Sequence, residues 1–278
     1  MGLGLDSAQP WGVACGRNGP AARRIMQPKL EVILSPAEFE TLRQRDLREA
    51  VCVVFDILRA TTTMVTALAN GAQAIIPVAE IGEALAIRTK NPSVLLAGER
   101  HGLRIRADQT GGVDFDLGNS PREFTAEKVS GKTIVMTTTN GTRALRACAG
   151  ARMILVSSFL NLRATTNWLR EKYPPHLILV CSGTFDEPAL EDVLAAGALC
   201  EKIWSNYAGG HVSDSAEIAR RIYPLLQFNM TEAMKHSRNA RRLMANPELK
   251  DDVWLCVQRE TVSFVATMLP SGAVRRLG

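Results

Sequence analysis

VVFDILRATTTMVTALANGAQAIIPVA, residues 53–79, changes its period twice. A β-branched run ending at Asp56 gives way to a helical stretch, TTTMVTALANGA (61–72), and then to a second strand-like run, AQAIIPVA (72–79). Short, uninterrupted apolar runs suit strands buried on both faces, and a helix between two of them is the βαβ unit of a parallel sheet. Asn70-Gly71 supplies the stop, because glycine accepts the left-handed conformation that closes a helix.

The alternation continues outward. MQPKLEVIL (26–34) reads as a strand, and SPAEFETLRQR (35–45) as a helix introduced by Ser35 with Pro36 in its first turn. Downstream, EIGEALAIRTK (80–90), NGTRALRACAGA (140–151), NLRATTNWLREKY (161–173) and LEDVLAAGALCEKIW (190–204) carry helical periodicity. SVLLAGE (93–99), KTIVMTT (132–138), RMILVSS (152–158) and HLILVCSG (176–183) read as strands. The predicted fold is α/β, with a largely parallel sheet covered on both faces and built from repeated βαβ units. The repeat shows in the sequence: IVMTTTNGTRALRACAGARMILVSS (134–158) superposes on 53–79 at an offset of 79 residues when Gly71 meets Gly150. Repeated Thr-rich strand-to-helix turns can bring several ligand-binding loops together. After Trp204 come polar helices, DSAEIARRIYPLLQ (214–227) and TEAMKHSRNARRLMA (231–245), and a short β-like tail. Those helices suit a homodimer contact as well as packing on the sheet. Residues 1–25 lack hydrophobic periodicity and are expected to be a disordered extension, leaving 26–278 as one elaborated domain.

Composition narrows the class. The chain has 278 residues, 46% hydrophobic and 22% charged, and a chain of this length buries roughly three quarters of its unfolded surface, so it needs no structural metal or disulfide. Cys15, Cys52, Cys148, Cys181, Cys200 and Cys256 form no CxxC pair, which suggests neither a zinc site nor a disulfide framework and makes a reducing cytoplasm the simplest home. No apolar run approaches the ~18 residues of a membrane span. The formal net charge is +5, but Arg17, Arg23 and Arg24 against Asp6 place part of it in the first 25 residues. With no aromatic-basic stripe, nucleic-acid binding is not expected.

In open parallel sheets, ligands sit at the carboxyl ends of strands, where helix N-termini present free N–H groups. The polar residues cluster there. Asp56, Arg59, Thr61, Thr62 and Thr63 fill the first turn: hydroxyls and N–H groups suit an oxyanion, Arg59 can pair with it through two hydrogen bonds, and Asp56 can hold Mg²⁺. A capped helix with an Asp–Arg ion pair explains the same residues. The second turn, TTTNGT (137–142), resembles an anion-binding nest, or an ordinary helix start. In the third, Cys181, Ser182, Gly183 and Thr184 precede Glu191 and Asp192, which either complement a helix dipole or ligate Mg²⁺. Glu99 and Arg100 end another strand, and FDLGNSP (115–121) forms a tight turn with exposed donors. Gly131-Lys132-Thr133 is not a Walker A loop, since it leads into a strand. RHGLRIR (100–106) approaches the histidine acid phosphatase motif, with Arg106 where a proline is required, and leaves His101 as an alternative phospho-acceptor.

Taken in order, VVFDILRATTT, AGER, FDLGNSP, TTTNGT, CSGT and EDVLAAG resemble the 2-phosphosulfolactate phosphatase family, from about Met26 to the end. The resemblance implies a layered α/β/α fold and a Mg²⁺-dependent phosphatase. Its substrate would be 2-phospho-3-sulfolactate, converted to 3-sulfolactate in a step associated with coenzyme M synthesis, or a related phospho-sulfonate or phosphorylated 2-hydroxy acid. The motif positions carried over are Asp56, Arg59, Thr61, Thr62, Glu99, Arg100, Asn119, Ser120, Thr138, Asn140, Gly141, Thr142, Cys181, Ser182, Gly183, Glu191 and Asp192. On this reading Asp56, Glu99, Glu191 and Asp192 hold Mg²⁺. Arg59 and the Thr138, Thr139, Asn140, Gly141, Thr142 nest grip the phosphoryl group, and Arg100, Asn119 and Ser120 hold the second acid. Attack comes from metal-bound water, Asp56 or Cys181. A non-catalytic regulator binding a small phosphorylated ligand through the same turns is the alternative.

Overall fold

The computed structural model describes residues 27–278. The extension expected over 1–25 lies outside the described residues. Eleven strands form one sheet: β1 Lys29–Ile33, β2 Ala50–Phe55, β3 Ala74–Val78, β4 Leu95–Arg100, β5 Leu103–Arg104, β6 Thr133–Thr137, β7 Met153–Ser157, β8 His176–Cys181, β9 His211–Val212, β10 Ala266–Met268 and β11 Val274–Arg276. Their order is β5-β4-β6-β3-β11-β10-β7-β2-β8-β1-β9. The helices among the described residues are α1 Phe39–Arg43, α2 Ala60–Ala69, α3 Ile81–Lys90, α4 Ala107–Thr110, α5 Ala126–Val129, α6 Gly141–Ala147, α7 Leu162–Lys172, α8 Leu190–Tyr207, α9 Asp214–Leu226, α10 Met230–His236, α11 Arg238–Met244 and α12 Lys250–Cys256.

The sheet is two parallel blocks, β4-β6-β3 and β7-β2-β8-β1-β9, joined through the antiparallel ladders of β10 and β11. The β-like tail of the sequence thus sits mid-sheet. Strand side chains alternate between faces, and β2 shows the result: Val51, Val53 and Phe55 enter one core with α7 to α11, whereas Cys52 and Val54 enter another with α1, α2 and α6. A third cluster, with Val135, Leu96 and Ala84, lies under α3. This is a three-layer α/β/α arrangement in which the middle strands have no solvent face.

The repeat is real in three dimensions. β2-α2-β3 and β6-α6-β7 interlock, because β3 pairs with β6 and β7 pairs with β2. Gly71 and Gly150 share a φ of 91°, each ending its helix in the left-handed region. Interlocking also brings the starts of α2 and α6 together. A Cβ on Gly141 would stand 2.6 Å from Ala60 Cβ and 2.9 Å from Asp56 Oδ2, so only glycine permits this approach.

Candidate active site

Where those two helix starts meet, one cavity is lined by Asp56, Leu58, Arg59, Glu99, His101, Gly102, Asn119, Thr138, Thr139, Asn140, Thr184, Phe185, Asn239, Arg242 and Leu243. Residues from the β2, β4, β6 and β8 turns and from α11 therefore share one space.

Asp56 is its central carboxylate. Oδ1 accepts the Ala60 N–H at 3.1 Å, and Oδ2 faces Gly141 across the approach of the two helix starts. Burial pushes Asp56 up to about 6, with Glu99 and Glu191 raising it further and the Ala60 N–H and Ser182 opposing them. Asp192 is held well above the usual carboxylate range by burial, then by Asp56 and Glu191. It ties two turns together, accepting from Ile57 N at 2.8 Å and Gly183 N at 3.0 Å, with Ser182 Oγ at 3.4 Å. Gly183 must be glycine here: its φ is +60°, and a Cβ would meet Glu187 O at 2.5 Å. Glu99 clamps the β4 and β6 turns, accepting from Gly102 N at 2.7 Å, Thr139 N at 2.8 Å and Thr139 Oγ1 at 2.9 Å. Glu191 accepts from Ser237 Oγ at 2.6 Å and Asn239 Nδ2 at 2.7 Å.

The expected ligand set therefore does not close into a four-carboxylate cage. Glu99, Glu191 and Asp192 spend both oxygens on protein donors, and among the described residues no group of three or more His, Cys, Asp or Glu side chains is arranged to hold a metal ion. The cavity offers a different set. Thr138 Oγ1, Asn119 Oδ1 and Asn140 Oδ1 are buried without a hydrogen-bond partner, and all three residues line the space beside Asp56. One carboxylate with uncharged oxygens fits a hard cation such as Mg²⁺, which commonly takes one or two carboxylates and fills its shell with water and phosphate.

Other expected site residues divide. Thr61 and Thr62 are buried and give their hydroxyls to Asp56 O at 3.0 Å and Ile57 O at 2.9 Å. Thr142 gives its own to Thr138 O at 2.8 Å. These three shape the turns without lining the cavity. Arg100 bonds Glu99 O, Ala79 O and Thr137 Oγ1, and its side chain lies outside the cavity lining, whereas His101 is part of it. Cys181 is fully buried in the β1-β2-β8 core, and burial, then Asp192, raises its thiol well above the ordinary value. That environment disfavours a thiolate.

Arg59 lines the cavity but pairs elsewhere than with Asp56. Its Nη1 meets Asp252 Oδ2 at 2.6 Å and its Nη2 meets Gly102 O at 2.6 Å. Asp252, fully buried on α12, also accepts from Ser120 Oγ at 2.6 Å and Arg122 Nε at 2.8 Å.

A family model for 2-phosphosulpholactate phosphatase matches residues 37–269. The chain belongs to the 2-phosphosulpholactate phosphatase family. Relatives named probable 2-phosphosulfolactate phosphatase include one from Thermotoga petrophila, 41% identical over 217 residues, 78% of this chain and 88% of the relative. Others come from Caldanaerobacter subterraneus subsp. tengcongensis, 37% identical over 85% of this chain and 95% of the relative, and Caldicellulosiruptor saccharolyticus, 34% identical over 84% and 95%. The family match spans every cavity-lining residue from Asp56 to Leu243. Sequence reading missed Asn239, Arg242 and Asp252 within it. The basic run HSRNARRL offered a hint, since an N-cap serine ahead of clustered arginines marks a helix rich in donors, but nothing local says that it reaches the β2 turn.

Proposed function

We propose that the chain is a Mg²⁺-dependent phosphoric monoester hydrolase that converts 2-phospho-3-sulfolactate to 3-sulfolactate and phosphate. The observation that carries this reading is the convergence of a buried carboxylate, three unpartnered buried oxygens and a buried arginine in one cavity of a chain of this family. Asp56, Asn119 and Asn140 would hold Mg²⁺, which supplies charge neutralisation at the phosphoryl oxygens as the P–O bond breaks. Arg59 is pinned by Asp252 and by Gly102 O, so its guanidinium is held at the cavity wall before the phosphoryl group arrives. The Thr138 hydroxyl donates to a phosphoryl oxygen, and Glu99, by fixing both Gly102 and Thr139, keeps the β4 and β6 turns at a constant separation. Water entering at the exposed mouth attacks phosphorus as the P–O bond to the substrate's alkoxide breaks, and a proton of that water passes to the alkoxide, giving 3-sulfolactate and phosphate. Cys181 serves as core packing.

The reading is tested by phosphate release from a panel of phospho-sulfonates, phosphorylated 2-hydroxy acids and simple alkyl phosphates, each with Mg²⁺ and with chelator. Metal-dependent turnover favouring the acid-bearing esters is expected. Binding without turnover of any ester would instead favour a phospholigand-binding regulator.

A further inference from the structure

Among the cavity-lining cations, Arg59 is matched by Asp252, and Arg242 has no carboxylate partner among the described residues. The two guanidinium groups come close at Gly102: Arg59 Nη2 donates to Gly102 O at 2.6 Å, and a Cβ on Gly102 would lie 3.9 Å from Arg242 Nη2. Asp252 offsets the charge of Arg59, whereas that of Arg242 is not offset among the described residues, which leaves Arg242 as the cavity-lining guanidinium available to an incoming anion. Arg242 is exposed at the mouth, whereas Asp56, Asn119 and Thr138 are buried at the floor.

The helix carrying Arg242 is fastened to the site. Ser237 caps α11 and donates to Glu191, while Asn239 donates to Glu191 at 2.7 Å and Thr184 Oγ1 at 2.5 Å. Glu191 thus braces α11 against the β8–α8 turn. A planar fork on a braced helix suits a flat or tripodal oxyanion better than a mobile lysine does.

The geometry points to Arg242 as the residue that selects esters bearing a second anionic group: it receives the carboxylate or sulfonate of the substrate while the phosphoryl group occupies the floor. This rests on the phosphatase reading and assigns the non-reacting half of the substrate. The test compares the full-length wild type with Arg242→Ala and Arg242→Lys on 2-phospho-3-sulfolactate and on isopropyl phosphate, and measures inhibition by 3-sulfolactate and by inorganic phosphate. Arg242→Ala should raise KM for the acid-bearing ester about 10- to 100-fold with a much smaller change in kcat. The loss on that ester should exceed the loss on isopropyl phosphate at least tenfold, 3-sulfolactate inhibition should weaken in step, and Arg242→Lys should recover part of it. Equal losses on both esters, or none on either, would overturn the assignment. If the wild type hydrolyses neither ester yet binds 3-sulfolactate through Arg242, the phosphatase reading fails and the assignment stands; if it binds neither anion, both fall.

Discussion

Asp56 concentrates the energetic conflict of the site. Its ordinary value of 3.8 is raised to about 6, so the folded state binds its proton more tightly than the unfolded chain does. The stabilisation from that proton is complete below about pH 3.8 and is lost as pH rises through about 6. In chelator, Asp56→Asn should therefore be more stable than wild type at pH 7.5 by about 3 kcal/mol, with the gap closing toward pH 4, as read from denaturant titrations. A less stable variant at pH 7.5 would show that the carboxylate is compensated in a way this geometry lacks. Cys181 makes the opposite case. It packs among core side chains, so Cys181→Ala should cost about 1 kcal/mol of stability and keep turnover within a few-fold, whereas loss of all activity in a folded variant would make it a nucleophile. Asp56 was legible from its place at a strand end. That Glu99, Glu191 and Asp192 would spend both oxygens on protein donors was not, because their partners lie between 3 and 48 residues away in the chain, and 135 for the Ile57 N–H.

At the scale of elements, local signals served well wherever pattern and partner were near in sequence. The βα units and both Thr-rich turns appear where their periodicity placed them, and even the Gly71–Gly150 alignment survives as a shared φ. The close contact between α2 and α6 is a product of how the two repeats interlock, which neither repeat encodes alone. Gly141→Ala tests it. The new Cβ must push against Ala60 and Asp56, so a cost of roughly 1–3 kcal/mol is expected, together with at least a tenfold loss of turnover as the β6 turn is displaced. Wild-type activity in this variant would mean that the two helix starts separate freely.

Over the whole molecule, the C-terminal hundred residues do what their sequence least advertises. The polar helices deliver Asn239 and Arg242 to the cavity and Asp252 to the arginine in its wall, and the tail closes the sheet between its two parallel blocks. Ending the chain at residue 263 would remove β10 and β11 and expose unpaired edges on β3 and β7. Such a protein should aggregate or unfold, which size-exclusion chromatography and circular dichroism would show; a folded monomer would contradict the topology. The central claim is that one cavity, with Asp56 at its floor, breaks a phosphate ester with the help of a divalent cation. Its most direct test is phosphate release from 2-phospho-3-sulfolactate by wild type and Asp56→Asn at matched folding, with Mg²⁺ and with chelator. The account predicts wild-type turnover that chelator abolishes and a drop of about a hundredfold or more in the variant; Asp56→Asn within threefold of wild type, or turnover indifferent to chelator, would contradict it.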